Sequence, residues 1–167
     1  MKKFLNLKSI LCCVAVVFGL IAVLLLFADV IVPQKGSDGG YSGLDVAFGY
    51  KEDGHKLLAA SAYILPTLLA VIGVVLSVVA LLGKGGKIVP IIAAVCLLGA
   101  GICYFLPIQM ITPYTKLTGD AKADYIKFIR DSVKDNCKLG AGAIVSGIFS
   151  IIAACSVTVP VFLGKKN

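Results

Sequence analysis

The chain has 167 residues with a formal net charge of +7, and 59% of its residues are hydrophobic. Its mean hydropathy of +0.98 excludes an ordinary soluble domain. Four apolar runs occupy more than half of the sequence, so no separate soluble domain of normal size fits in the remainder. We therefore expect a single membrane domain over residues 1–167.

Each apolar run reaches the roughly 20 residues that a helix needs to cross a bilayer. The runs span residues 9–32, 57–82, 88–108 and 139–163, and the outer loops between them span 33–56 and 109–138. The predicted fold class is an all-α membrane protein, a four-helix transmembrane bundle. The first run is too long for a signal peptide and has no Ala-x-Ala-like cleavage site, so we expect it to remain as a helix.

Charge distinguishes the two sides of the predicted bundle. The segments 1–8, 83–87 and 164–167 are short and together carry seven lysines and no acidic residue, whereas all nine acidic residues lie on the other side. Short basic segments stay in the cytoplasm. The sequence thus predicts a multi-pass protein of the cell membrane with both termini in the cytoplasm.

Small residues recur at spacings of three and four along every run. These stripes comprise Cys12, Ala15, Gly19 and Ala22; Ala70, Gly73, Ser77 and Ala80; Ala93, Cys96, Ala100 and Cys103; and Ala143, Gly147, Ser150 and Ala154. Helices in lipid associate by close backbone approach, so the stripes predict a compact bundle, with plain composition as the alternative explanation. Pro66 lies within the second run and predicts a kink or tilt there.

The first outer loop changes to a period of two. Its apolar positions are Leu44, Val46, Phe48 and Tyr50. This alternation predicts a short extracellular β segment that pairs with residues 30–32 and is closed by a turn at 51–54.

The second outer loop predicts an extracellular amphipathic helix from about Asp120 onward. Its apolar stripe contains Ile126, Ile129 and Val133. This stripe either lies on the membrane surface, packs on the β segment or receives a partner. Together with the four apolar residues of the first loop, it forms the candidate interaction surface.

The sequence offers few residues that could form a catalytic or metal site. His55 is the only histidine and has no second imidazole with which to share a metal, and five of the six cysteines fall inside apolar runs, where Cys behaves as a small hydrophobe. No catalytic triad or phosphate-binding loop is found. We expect no catalytic residues, no metal and no cofactor.

One ionisable residue remains as a candidate polar site. Asp29 continues the stripe of the first helix through Gly19, Ala22 and Leu26, which would direct it into the bundle near its outer mouth. The alternative is an acid at a helix end, wetted at the interface. The centre of the predicted bundle carries no charge, although proton-coupled transporters and pumps keep one there.

The helix layout and the outer segment Tyr41-Ser-Gly-Leu-Asp-Val-Ala-Phe-Gly-Tyr50 resemble small membrane proteins of Gram-positive bacteria, a group that brings no known activity. The layout is also similar to claudins and tetraspanins, but their Trp and paired outer cysteines are missing. The first hypothesis is a non-enzymatic accessory, scaffold or interaction subunit, surrounded by the lipid bilayer. Its partner would be a membrane or extracellular protein, and not a nucleic acid. The alternative is a small transporter or channel component, followed by a membrane-bound enzyme.

Overall fold

The computed structural model describes residues 2–34, 39–52, 55–57, 63–110 and 118–163, and it is mostly helical. In chain order its elements are α1 (Lys2–Leu24), β1 (Asp29–Pro33), β2 (Tyr41–Ser42), α2 (Gly43–Phe48), β3 (Tyr50–Glu52), β4 (His55–Leu57), α3 (Ile64–Leu81), α4 (Ile88–Tyr104), α5 (Asp120–Asn136), β5 (Cys137–Leu139) and α6 (Ala141–Leu163).

Among the described residues, three helical segments are long and apolar enough to cross a membrane. They are Leu7–Phe27, Ile64–Leu81 and Ala141–Phe162. Helix α4 is equally apolar but has 17 residues, which corresponds to about 26 Å, slightly less than the roughly 30 Å of a hydrocarbon core. These lengths and compositions are those of a membrane protein.

The four long helices pack in a closed ring. Helix α1 contacts α3 and α6, and α4 contacts the same two helices from the other side. The predicted small stripes of α1, α3 and α6 are buried in this ring, which confirms them. In α4 the buried row instead contains Ala93, Leu97, Ala100 and Tyr104, while Cys96 and Cys103 are only half-buried.

Glycines in the stripes allow side chains of neighbouring helices to come close. A β carbon at Gly73 would lie 2.6 Å from Cγ of Leu97, and one at Gly147 would lie 2.6 Å from the ring of Phe105. Atoms cannot approach to such distances, so larger residues at either position would hold the helices apart. The stripes therefore act in packing and do not merely reflect composition.

Small and large side chains are distributed differently from those of a soluble protein. Most buried residues of the long helices are Ala, Ser or Gly, apart from a few larger ones such as Leu97 and Tyr104, whereas most large apolar side chains point outward. The latter include Ile10, Val75, Val95 and Ile148, which are 57%, 56%, 65% and 45% exposed. Apolar exteriors of this extent are stable in contact with lipid and are rare on soluble monomers.

The first apolar run is not one helix up to Val32 as predicted. Helix α1 ends at Leu24 and is followed by a 3-10 turn at Leu25–Phe27, after which the chain continues as strand β1. The β-branched residues 30–32 favour an extended backbone. Antiparallel pairing of β1 with β5 gives this extended segment hydrogen-bond partners.

Helices α3, α4 and α6 are also shorter than predicted, although α4 begins at Ile88 and α6 ends at Leu163 as expected. Leu57 belongs to β4 and Leu139 to β5, while α4 ends at Tyr104, before Ile108. Because α3 begins at Ile64, Pro66 lies in its first turn. Proline is tolerated at that point, since the N–H that it lacks would have no partner within the helix. The expected kink or tilt assumed a proline in the middle of the helix, and Pro66 is not at such a position.

Three strands form an antiparallel sheet in the order β2-β1-β5. In its register Ile31 is paired with Leu139, and Val32 with Lys138. Strands β3 and β4 form a separate hairpin in which Glu52 is paired with His55. The predicted strand at 30–32 is confirmed, whereas Lys51 and Glu52 are part of β3 rather than a turn. Asp53 and Gly54 lie outside the described residues.

The predicted β segment around Leu44 and Val46 is wrong, because residues 43–48 form helix α2. Ser42 starts this helix with a capping box: its hydroxyl accepts a bond from the Asp45 N–H (3.2 Å), and its own N–H donates to the Asp45 carboxylate (3.1 Å). Gly49 ends it with a φ of 85°, which glycine adopts most easily. These local signals outweighed the alternation of apolar residues.

Candidate functional site: the cap of the bundle

Strands β1, β2 and β5 and helices α2 and α5 form a cap on one end of the bundle. Backbone hydrogen bonds connect its parts: Gly140 N–H donates to the Val30 carbonyl (2.9 Å) and Gln34 N–H to the Asn136 carbonyl (2.8 Å). The start of α6 also lies close to β1, since a β carbon at Gly142 would be 2.8 Å from the carbonyl oxygen of Asp29. The cap is thus joined to the bundle through backbone.

A shared apolar core lies between the cap and the bundle. Its buried residues come from β1, α2 and the long helices: Val30, Ile31, Val46, Tyr63, Ala70, Ala100, Tyr104 and Ala143. Ile129 and Val133 of α5 pack against this core and are partly buried. Of the three alternatives for the stripe of α5, the structure thus shows packing, on a core that includes Val46, although a helix replaces the predicted strand.

The predicted interaction residues do not share one exposed face. Val46 is buried (1% exposed), Phe48 is 62% exposed, and Leu44 and Ile126 are half-buried. The side chain of Tyr50 lies outside the described residues. Because consecutive residues of a helix point about 100° apart, the i, i+2 spacing that suits a strand separates these side chains on α2.

Two exposed aromatic residues of α5 were not among the predicted interaction residues. Phe128 is 66% exposed and Tyr125 is 37% exposed. They are three residues apart, so they lie on one side of α5, next to the stripe that faces the core. That spacing within an amphipathic helix was the signal that could have identified them.

Asp29 does not continue the stripe of α1. It begins strand β1, and its side chain is exposed. Because the helix has ended before this residue, the helical spacing that directed Asp29 into the bundle no longer applies. Asp29 instead lies beside the backbone of the cap, where a β carbon at Gly40 would meet its side chain at 2.6 Å.

The cysteines show no redox arrangement. All six are free thiols. Cys137, in β5, is half-buried against the shared core, and burial raises the pKa of its thiol. A raised pKa lowers the fraction of reactive thiolate at neutral pH. Within the described part of the chain, no cluster of three or more His, Cys, Asp or Glu residues could hold a metal ion.

Several hydroxyl groups are buried inside the bundle. That of Ser146 donates to the Ala22 carbonyl (3.2 Å), which links α6 to α1. Those of Tyr63 and Ser150 are buried and have no hydrogen-bond partner among the described residues, whereas the buried hydroxyl of Tyr104 lies within reach of the Thr67 hydroxyl. The rings of Tyr63 and Tyr104 meet edge to face with their centroids 6.3 Å apart.

Comparisons with protein-family models, with curated proteins and with solved structures found no match for this chain.

Proposed function

We propose that this protein is a non-enzymatic integral protein of the cell membrane, an accessory, scaffold or interaction subunit whose cap contacts a partner protein. In this proposal the four long helices cross the membrane, both termini face the cytoplasm and the cap lies outside. The outward-facing apolar side chains of the helices support the membrane location. The acid-free lysine segments at the other end of the bundle support the orientation.

The observation that carries the proposed interaction is the pair of exposed aromatic residues on the cap. Phe48 and Phe128 are each more than 60% exposed, although both belong to elements that contribute buried or partly buried residues to the shared core. Aromatic side chains on ordered elements are enriched at protein interfaces, because they bury much area with little loss of conformational entropy.

A site-specific photocrosslinking experiment tests this proposal. The crosslinking amino acid benzoylphenylalanine replaces Phe48 or Phe128 in native membranes. Phe162, which is 78% exposed near the other end of the bundle, serves as the matched control. From both cap positions we expect a protein adduct of one defined mass, with this protein and the partner in a fixed ratio. From Phe162 we expect no protein adduct. If all three positions give only lipid adducts, the cap has no protein partner and the proposal is wrong.

A small transporter or channel component is the second candidate. The observation in its favour is the set of buried hydroxyls of Tyr63, Tyr104 and Ser150, since a polar occupant of the bundle would bond to such groups. In this alternative, Tyr63→Phe and Tyr104→Phe change the flux of ions or solutes across proteoliposomes. In the first proposal they leave it unchanged.

A further inference from the structure

A cavity of about 160 Å³ lies at the end of the bundle opposite the cap. We call it the basic pocket. All four long helices contribute to its wall, which includes Lys8, Ala80, Lys87, Pro90, Val157 and Pro160. Ala80, Pro90 and Pro160 have side chains too short to fill the space between the helix ends, so an apolar hollow remains there.

Two lysines from different elements line this hollow. Lys8 belongs to α1, and Lys87 directly precedes α4, so the fold brings together two charges that are distant in the chain. The sequence has no Asp or Glu in residues 1–28, 54–119 or 136–167, which supply every wall of the pocket. No acidic side chain from these segments can neutralise the two lysines.

We propose that the basic pocket binds a phosphate-bearing anion, with Lys8 and Lys87 holding the phosphate and the apolar wall contacting the adjacent carbon atoms. Its volume is below the roughly 300 to 1,000 Å³ of sites for drug-sized ligands, so it suits a group of headgroup size. Basic pockets between helices on the cytoplasmic side of a membrane bind anionic lipid headgroups. The lipid source rests on the proposed membrane bundle, whereas a soluble phosphate compound does not.

The test compares two probes on the full-length protein in detergent. Phosphatidylglycerol and inorganic phosphate are titrated separately, and the apparent affinity of each is taken from the rise of the thermal unfolding midpoint, because a ligand that binds the folded state stabilises it. The variants are Lys8→Gln and Lys87→Gln. Lys84→Gln is the matched control, since Lys84 is an exposed lysine of the same turn that does not line the pocket.

We expect phosphatidylglycerol to stabilise the protein, and Lys8→Gln and Lys87→Gln each to weaken its binding roughly fivefold. Lys84→Gln should leave the affinity unchanged. If inorganic phosphate stabilises the protein and its affinity falls in Lys8→Gln and Lys87→Gln but not in Lys84→Gln, the result would support a soluble source of the phosphate. A variant that fills the hollow, Ala80→Leu, should weaken binding while every lysine is kept.

Equal losses of affinity in all three lysine variants would indicate only a diffuse basic surface and would overturn the proposal. Absence of stabilisation by both probes, or affinities that are unchanged in Lys8→Gln and Lys87→Gln, would overturn it as well. These outcomes are independent of crosslinking at Phe48 and Phe128, so a failure of the pocket can be distinguished from a failure of the proposed cap interaction.

Discussion

At the junction between α6 and the cap, glycine is needed because the backbones of two elements nearly touch. A β carbon at Gly142 would approach the carbonyl oxygen of Asp29 to 2.8 Å and the Ala28 side chain to 3.0 Å. Backbone atoms cannot turn away as the end of a flexible side chain can. Gly99, inside α4, differs: a β carbon there would meet only Leu69, at 3.6 Å, which is an ordinary contact.

The first prediction compares these two glycines. Gly142→Ala should lower the free energy of unfolding by about 1 to 3 kcal/mol, because β1 must move away from α6. Gly99→Ala should raise it by about 0.5 to 1 kcal/mol, because alanine loses less backbone entropy in a helix. Denaturant titration of both variants in detergent measures the difference. Equal effects would show that β1 does not pack on α6 as closely as described.

Ser42 determines where α2 begins, and this gives the second prediction. Ser42→Ala removes the hydroxyl that accepts from the Asp45 N–H, at a cost of about 1 kcal/mol. Because α2 has only six residues, this loss should appear as faster amide exchange over residues 43–48. Ser42→Thr keeps a hydroxyl and should retain most of the protection. Unchanged exchange in Ser42→Ala would contradict the capping box.

At the scale of elements, α2 shows why the sequence predicted the first outer loop incorrectly. Leu44, Val46 and Phe48 alternate as in a strand, but Ser42 and Asp45 also have the spacing of a helix start. In so short a segment the two patterns compete, and the capping box with Gly49 at the other end decides in favour of the helix. Helix α5 was predictable because its apolar period extends over 17 residues, which no local signal contradicts.

The third prediction concerns the coupling between α2 and α5. Val46 is buried in the core against which Ile129 and Val133 pack. Val46→Ala should therefore speed amide exchange in α5 as well as in α2. Phe48→Ala is the matched control: the Phe48 side chain is 62% exposed, so its loss should leave exchange in α5 unchanged.

Hydrogen-exchange mass spectrometry on the protein in detergent separates the two segments. If Val46→Ala accelerates exchange in α2 alone, α5 does not depend on the shared core. The stripe of α5 would then be free to lie on lipid or to bind a partner, as the sequence left open.

At the scale of the whole molecule, the buried stripes of α1, α3 and α6 were predictable because helical spacing fixes which residues share a face. The ends of the helices were not. Residues 29–32 leave the predicted helix because strand β1 pairs with β2 and β5, and Gln34 bonds the Cys137 carbonyl across 103 positions of the chain. A hydropathy pattern is local, so it cannot reveal such a partner.

The last prediction concerns the orientation of the bundle in the membrane. The basic pocket brings Lys8, the turn before α4 and the end of α6 to one end of the bundle, while α5 belongs to the cap at the other. Single cysteines replace Lys84 and Ala123, two exposed residues, in a variant without the six native cysteines. On intact cells a membrane-impermeant maleimide should label the cysteine at position 123 and not that at 84, because acid-free lysine segments remain in the cytoplasm. After permeabilisation both should react. Labelling at 84 but not at 123 on intact cells would show that the bundle has the opposite orientation, with the cap inside. Labelling at both positions would show that the two ends are not separated by a membrane.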